Sequence, residues 1–319
     1  MAQAFYEAVR QLPDAWQQKL LCYPKEERQN VREITFRAGK PVVLTTADGI
    51  RFLDRRNRFA RVLSSECVCV SAEEVEHILR HLTHYSLHTF EQDLCGGYLT
   101  IRGGHRCGVA GSAVYKAENL SHIRAVSCVS LRIARQIHGL AAPIWKRLYY
   151  GSVIPSVLLI GAPASGKTTV LRDWIRALAS GETGRYMRVA VVDERGEIGA
   201  AVNGIAQNDL GITSDLLDGF WKKDGMRAAL RSLAPQVIAV DEIATQEDME
   251  SLRQIRSGGA AILATAHASS MEELYHREGL KQMMEEAMFD ALVVLEGAGR
   301  PGVAKTVLSL KTEETRLCG

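Results

Sequence analysis

In the second half of the chain, short apolar runs alternate with stretches whose apolar residues recur at helical spacing. The apolar runs predict strands at residues 157–160, 188–192, 237–240, 261–265, 291–295 and 303–310. Strands that alternate with helices in this way favour an α/β fold with a mainly parallel sheet. The last two strands could instead form an antiparallel edge of that sheet.

The first half follows a different pattern. Residues 1–22 have the periodicity of one or two short amphipathic helices, and Ser71 and Glu74 form the capping-box pattern that begins another helix. Alternation at period two and punctuation by glycine predict strands at residues 31–37, 42–46, 98–102, 106–114 and 122–133. This mixture predicts a smaller α+β domain ahead of the α/β domain.

A length of 319 residues is consistent with two domains. Residues 141–151 contain a proline, a short helical pattern and a terminal glycine, and we place the boundary there. The sequence therefore predicts an α+β N-terminal domain over residues 1–140 and an α/β C-terminal domain over residues 141–319.

The segment with the most chemical content joins the strand at residues 157–160 to the helix that follows it. It reads Gly-x-x-x-x-Gly-Lys-Thr, which is the P-loop pattern. Glycines let the main chain wrap a polyphosphate, its N–H groups form an anion nest, and the helix N-terminus adds its dipole. We expect ATP to bind along Gly161, Ala162, Pro163, Ala164, Ser165, Gly166, Lys167, Thr168 and Thr169. Lys167 would reach the β- and γ-phosphates, and the hydroxyl of Thr168 would hold Mg²⁺.

Two carboxylates follow the strand at residues 237–240. Strand ends of this kind deliver side chains to the ligand crevice of an α/β sheet. We expect Asp241 to bind Mg²⁺, mostly through water, and Glu242 to polarise the water that attacks the γ-phosphate.

The next strand, at residues 261–265, also ends in polar residues. Thr265 and His267 lie there, and a hydroxyl and an imidazole can sense the γ-phosphate or hold the attacking water. A lone histidine is more often structural, but its place after the strand that follows Glu242 favours a functional role.

A third acidic strand end lies between the P-loop and Asp241, at residues 193–197. Spacing does not resolve which of its acidic residues points inward, and Glu194 and Glu197 are the candidate catalytic residues. Arg195 could reach a phosphate or a neighbouring subunit. The alternative is a charged surface turn.

Composition narrows the partners. A net charge of +2, 46% hydrophobic residues and 24% charged residues are ordinary for a globular protein. Aromatic residues make up 6% and are not interleaved with basic ones, which argues against a nucleic-acid partner. Neither an 18-residue apolar stretch nor a signal-peptide pattern is present, so we expect a cytoplasmic protein without direct membrane insertion.

The seven cysteines are scattered and form no paired CxxC motifs, which argues against a disulfide framework or a zinc site. We expect buried structural thiols, with Cys67 and Cys69 on the same side of one strand. The cysteines are Cys22, Cys67, Cys69, Cys95, Cys107, Cys128 and Cys318.

Residues 226–243, taken with residues 264–267, resemble the ATPases of type II secretion, type IV pilus and type IV secretion systems. Those motors carry a Walker A motif, an acidic Asp box, a Walker B motif and a His box, in this order. The corresponding segments here are residues 161–168, 193–197, 237–242 and 265–267. The chain differs at Asp241, where those motors usually have glycine. It also lacks the long N-terminal domains and the four-cysteine zinc module that many of them have.

Over nearly its whole length the chain more closely resembles the stage III sporulation protein AA family of spore-forming bacteria. The resemblance rests on residues 33–41, 103–108, 130–135 and 193–198. It implies a RecA-like motor ATPase whose subunits assemble into a ring, for which we expect a homo-hexamer. It also implies that the ring acts together with membrane proteins and energises a channel between mother cell and forespore. These membrane proteins would hold the ring at the membrane surface.

Ring ATPases need an arginine from a neighbouring subunit, which offsets charge that develops on the γ-phosphate. In the secretion ATPases, arginines on N-terminal strands reach the nucleotide. The resemblance makes Arg124 and Arg132 the candidates here. The alternative is that both are solvated strand positions.

Other functions compete with the motor. They are a nucleic-acid-stimulated ring ATPase, a non-hydrolysing nucleotide switch and a small-molecule kinase. Glu242 and His267 argue against a switch, because binding alone needs neither. Residues 195–235 hold too few arginines for the lid of a kinase.

Overall fold

The computed structural model describes residues 2–56, 58–85, 90, 94–116, 118–148 and 154–310. The chain divides into two compact units, Met1–Arg135 and Gln136–Gly319. The boundary drawn at residues 140/141 from the sequence stays a prediction, and residues 149–153, near which it was placed, lie outside the described residues.

The first unit contains four of the described helices and an antiparallel sheet of seven strands. The helices are α1 Ala2–Val9, α2 Asp14–Leu21, α3 Lys25–Asn30 and α4 Ala72–Leu82. The strands are β1 Val31–Arg37, β2 Lys40–Pro41, β3 Val43–Thr46, β4 Gly49–Leu53, β5 Phe59–Ala60, β6 Cys69–Val70, β7 Tyr98–Ile101, β8 His105–Lys116 and β9 Asn119–Arg132. The sheet order is β5-β4-β3-β1-β9-β8-β7, and β2 pairs with β6 separately.

Period-two alternation on β1 and helical spacing on α4 build the core of this unit. Ile34 and Phe36 of β1 are fully buried and share one cluster with the apolar face of α4. The ring of Trp16 on α2 meets that of Phe36 edge to face, with 5.0 Å between centroids. The capping box predicted at the start of α4 is present, because Ser71 and Glu74 each bond the other's main-chain N–H.

The second unit alternates strands and helices, as the sequence predicts. Its helices are α5 Ala142–Leu148, α6 Lys167–Ala179, α7 Lys222–Ser232, α8 Gln246–Ser257, α9 Met271–His276 and α10 Glu278–Glu285. Its strands are β10 Val157–Gly161, β11 Val189–Asp193, β12 Ser214–Asp218, β13 Val237–Val240, β14 Ala261–His267, β15 Ala291–Leu295 and β16 Ala304–Ser309. The sheet order is β12-β11-β13-β14-β10-β15-β16, and every pairing is parallel except that of β15 with β16.

Apolar residues on both sides of its strands explain why this sheet lies inside the unit. On β10, Leu158 and Ile160 pack into one cluster, whereas Val157 and Leu159 pack into another, and all are buried. A parallel sheet covered by helices on both faces requires such uninterrupted apolar strands.

The strand predictions for the second unit need two corrections. β15 is not an edge strand, because it pairs in parallel with β10, and only β16 is antiparallel. The sequence also missed β12, which pairs with β11 at the opposite edge. Only Leu217 of its five residues is buried, so it lacks the apolar run that marks the inner strands.

The prediction of buried thiols is wrong in part. Cys67 is buried, but Cys69 and Cys22 are exposed. Cys67 lies outside the short strand that contains Cys69, so the two residues do not alternate on one strand face. Cys318 lies outside the described residues.

No helix in the described ranges combines the length and apolarity needed to cross a membrane.

A buried carboxylate connects α6 to the segment that precedes α5. Asp173 accepts hydrogen bonds from the main-chain N–H of Gly139, at 3.0 Å, and of Ala141, at 2.8 Å. It also pairs with the buried guanidinium of Arg176 at 3.0 Å. We predict that Asp173→Ala lowers the free energy of unfolding by about 3 kcal/mol, since it leaves buried donors unsatisfied. The urea midpoint measures this.

Glu286→Ala provides the control, because it removes an exposed ion pair with Arg253 in the same unit. We expect its midpoint to match the wild type. Equal midpoints for all three proteins would contradict the role assigned to Asp173.

Candidate functional site

Four neighbouring strands bring the predicted site residues of the second unit to one edge of its sheet. β11, β13, β14 and β10 are parallel, so their carboxyl ends lie at the same edge. Gly161 pairs with His267, and Val240 pairs with Ala264. Strand β14 therefore lies between the P-loop and the two carboxylates that follow β13.

The P-loop has the main-chain geometry that its glycines permit. Gly166 has a φ of +90°, and the first turn of α6 begins at the next residue. A Cβ on Gly166 would lie 2.6 Å from the main-chain nitrogen of Gly302, in the turn between β15 and β16. That nitrogen also donates to the carbonyl of Ser165 at 2.7 Å. The P-loop is thus held from outside by the β15–β16 turn.

Several features of this loop fit a bound polyphosphate. The hydroxyl of Ser165 is buried and has no hydrogen-bond partner within the described ranges. A Cβ on Gly161 would come within 2.4 Å of that hydroxyl, so only glycine fits there. The N-terminus of the 13-residue helix α6 follows directly, with its unsatisfied N–H groups.

Lys167 is buried at the start of α6. Its amine donates to the carbonyls of Gly161, at 2.8 Å, and Ala162, at 3.2 Å. Burial lowers the pKa of Lys167, and the carboxylates of Asp241 and Glu242 partly oppose this effect. The amine therefore lies inside the loop, where a phosphate would be its strongest partner.

Asp241 is held between two hydroxyl groups. Thr168 on α6 donates to Oδ2 of Asp241 at 2.8 Å, and Thr265 on β14 donates to Oδ1. Adjacent oxygen ligands of an octahedral Mg²⁺ lie about 2.9 Å apart. The Thr168 hydroxyl and the Asp241 carboxylate therefore fit Mg²⁺, which commonly takes one carboxylate and substrate phosphates.

No group of three or more His, Cys, Asp or Glu side chains in the described part of the chain is arranged to hold a metal ion. A cation at this site would therefore depend on the single carboxylate of Asp241, the hydroxyl of Thr168 and oxygens of the substrate.

Glu242 has a left-handed main chain, with a φ of +53°. Its N–H donates to the hydroxyl of Thr265 at 2.9 Å, and its carbonyl accepts from Nζ of Lys222 at 2.7 Å. Nη1 of Arg195 donates to Oε2 at 2.6 Å, and Nε2 of His267 lies 2.7 Å from Oε1. Non-glycine residues hold this conformation only when their surroundings enforce it, and such positions cluster at functional sites.

The charges around Glu242 keep it ionised. Burial alone would raise the pKa of its carboxyl group. The hydrogen bond with His267 and the charges of Arg195 and Lys222 outweigh burial, so its pKa is lowered. Glu242 is thus available as a carboxylate.

His267 links the P-loop to Glu242. Its Nδ1 lies 3.2 Å from Nζ of Lys167, and its Nε2 bonds Glu242. A lysine ammonium can only donate, so Nδ1 of His267 accepts this hydrogen bond. Nε2 of His267 then carries the hydrogen and donates a hydrogen bond to Glu242. A continuous chain of hydrogen bonds runs from Lys167 through His267 to Glu242.

The acidic residues at the end of β11 and directly after it make different contacts. Asp193 is buried, and its carboxylate accepts from the main-chain N–H groups of Glu197, Ile198 and Gly199. It therefore shapes the loop that follows β11. Glu194 lies 3.6 Å from Nζ of Lys222, which connects it to the carbonyl of Glu242.

Glu197 is reached from α6. Its carbonyl accepts from Arg172 at 2.6 Å, and its side chain is half-buried. The structure connects Glu194 to Glu242 through Lys222, and the catalytic roles of Glu194 and Glu197 stay predictions.

Two cations at this edge were missed or left open by the sequence. For Arg195 the sequence leaves a phosphate or a neighbouring subunit open as partners, and in the structure its guanidinium contacts the carboxylate of Glu242. Lys222 was given no role in the site. A lysine in the first turn of a helix opposes the helix dipole, and that local conflict was the signal available in the sequence.

Arg124 and Arg132, the two proposed trans-acting arginines, lie on β9 of the first unit and are exposed. Their role stays a prediction.

Solved structures with a similar fold include an ATPase and a pilus retraction motor. The chain matches the ATPase DotB of Legionella pneumophila at 16% identity and a TM-score of 0.55, covering 91% of this chain and 79% of DotB. It matches the pilus retraction motor PilT with bound ADP at 15% identity and a TM-score of 0.58, covering 90% and 81%. The predicted α/β fold class is therefore confirmed.

Sequence comparison gives closer relatives. Stage III sporulation protein AA of Bacillus subtilis is 33% identical over 302 residues, which are 94% of each chain. The protein SEEDLING PLASTID DEVELOPMENT 1 of Arabidopsis thaliana is 28% identical over 192 residues, 60% of this chain and 27% of that protein. The family model described as "Sporulation stage III, protein AA" matches residues 6–315. The chain therefore belongs to the stage III sporulation protein AA family, as its sequence motifs predict.

Proposed function

We propose that this protein is a magnesium-dependent ATPase that works as a ring motor. The observation that carries the proposal is the chain of contacts from the P-loop lysine through His267 to Glu242. The P-loop beside it and the bridged Asp241 supply the other parts that hydrolysis of a nucleoside triphosphate needs.

In this proposal the phosphates of ATP lie along residues 161–169. Main-chain N–H groups and the start of α6 bind them, and Lys167 exchanges its carbonyl contacts for the β- and γ-phosphates. Thr168 and Asp241 would hold Mg²⁺, which when bound withdraws charge from the phosphate oxygens.

Glu242 orients the attacking water and receives its proton. The water oxygen forms a bond to the γ-phosphorus while the bond from that phosphorus to the β–γ bridging oxygen breaks. His267 fixes the carboxylate from one side and Arg195 from the other, so Glu242 keeps one direction. Glu194 and Glu197 are proposed to complete the acidic wall of the site.

The assembly and partners are proposed from the family. An arginine of a neighbouring subunit, Arg124 or Arg132, would offset charge on the γ-phosphate. The ring would act in the cytoplasm, at a membrane through membrane proteins of a sporulation channel. The DotB and PilT structures, named for an ATPase and a retraction motor, support a motor over a stationary switch.

We predict that Glu242→Gln lowers the ATPase kcat by about 10²- to 10⁴-fold, because the amide cannot accept the proton of the water. ATP affinity should stay near that of the wild type, since the phosphates are bound by the P-loop. Steady-state hydrolysis and binding of a fluorescent ATP analogue measure the two effects.

Glu247→Gln is the matched control, because Glu247 is exposed on the neighbouring helix α8. Rates are measured against protein concentration, with light scattering for mass, and with single-stranded DNA. Normal turnover by Glu242→Gln would remove its catalytic role. Stimulation by DNA would instead favour a nucleic-acid-driven ring.

The pH dependence of hydrolysis should report the ion pair between Arg195 and Glu242. The lowered pKa of Glu242 keeps its carboxylate ionised as pH falls, so activity persists below the usual range of a glutamate. Arg195→Ala removes one cause of that lowering. We predict that the acidic limb of the kcat profile moves to higher pH in this variant.

Arg253→Ala serves as the control, because Arg253 pairs with Glu286 on the surface and not with Glu242. Its profile should overlay that of the wild type. A shift towards lower pH in Arg195→Ala would contradict the electrostatic role of Arg195.

A further inference from the structure

Lys222 occupies an unusual position for a lysine at the start of a helix. Its side chain is 17% exposed, while the next residue, Lys223, is exposed. The positive end of the helix dipole disfavours cations in the first turn, and no side chain caps α7 at Trp221. The position of Lys222 therefore needs compensation from its contacts.

Those contacts connect two segments of the proposed site. Nζ of Lys222 donates to the main-chain carbonyl of Glu242 at 2.7 Å and lies 3.6 Å from the carboxylate of Glu194. Glu194 follows β11 and Glu242 follows β13, so one side chain from α7 spans the ends of both strands. A side chain that conflicts with its own helix and bridges two strand ends is typical of a functional position.

The carbonyl of Glu242 is the main-chain group through which Lys222 on α7 can hold this residue in its left-handed conformation. The N–H of Glu242 is already bound by Thr265, and its carboxylate by Arg195 and His267. The next N–H, of Ile243, donates to the carbonyl of Thr265 at 2.9 Å. Both N–H contacts therefore come from β14. Lys222 adds a restraint from α7 on the peptide unit between Glu242 and Ile243.

We propose that Lys222 is a positioning residue for hydrolysis, which holds the main chain of Glu242 through its carbonyl and couples it to Glu194. The inference rests on the function proposed above. Lys222 acts through Glu242, so its loss misdirects the carboxylate without removing it. Small displacements of a catalytic group are sufficient to slow a reaction strongly.

The test compares Lys222→Met, Lys222→Arg and Lys223→Met. Lys222→Met keeps the aliphatic stem and removes the donor, and we expect kcat to fall about 10- to 100-fold while the KM for ATP changes little. Lys222→Arg retains a donor and a positive charge, so it should recover part of the loss. Lys223→Met should equal the wild type in both constants.

A coupling measurement separates the bridge from a general loss of packing. If Lys222 connects Glu194 to Glu242, the effects of Lys222→Met and Glu194→Gln on kcat should not add in the double variant. Additive effects, or a loss confined to KM, would overturn the assignment.

Hydrogen exchange provides a readout that does not depend on turnover. We expect the amides of Glu242 and Ile243 to exchange faster in Lys222→Met than in Lys223→Met, with unchanged exchange in β10. If the wild type hydrolyses no ATP, the proposed function fails, yet this comparison still decides the role of Lys222. Equal exchange in the two variants would refute it.

Discussion

The site depends on one constraint, which is the parallel insertion of β14 between β10 and β13. This order places His267 level with Gly161 at the start of the P-loop. It also brings the Thr265 hydroxyl against the N–H of Glu242 and the carboxylate of Asp241. If β10 and β13 were direct neighbours, the imidazole and hydroxyl that join the two motifs would have no place between them. The chemistry is therefore a property of strand order as much as of residue type.

The charges at this edge favour the ionised form of Glu242. Lys167, Arg195 and Lys222 lie around the carboxylates of Asp241 and Glu242. The pKa of Glu242 is lowered in spite of its partial burial. Within the proposed function, this network gives the nucleotide a way to act on Glu242. A phosphate that draws the amine of Lys167 away from Nδ1 of His267 removes the hydrogen bond that Nδ1 accepts, and so alters the bond that Nε2 donates to Glu242. Phosphate binding and the orientation of the Glu242 carboxylate are then linked through the side chains of Lys167, His267 and Glu242.

Much of the fold and part of the site follow from local sequence. The P-loop and the carboxylates after β13 were predictable, because their spacing and the apolar strands before them are local signals. The place of β15 was not, since strand order depends on long-range pairing that periodicity does not record. β12 was missed because its alternation is weak. Lys222 lies 20 residues from its acceptor, on another element, so only the folded chain brings them together.

Asp241 shows why a shared fold does not transfer each residue's role. At 15–16% identity, the likeness to DotB and PilT concerns the fold. The secretion and pilus motors that the sequence motifs resemble usually have glycine at the position of Asp241, and glycine has no side chain with which to bond Thr168 and Thr265. In this chain the carboxylate ties α6 to β14 and lies beside the hydroxyl that fits Mg²⁺. Within the proposed function the same carboxylate also holds Mg²⁺, so Asp241 combines bracing and metal binding in one side chain, which glycine at this position could not do.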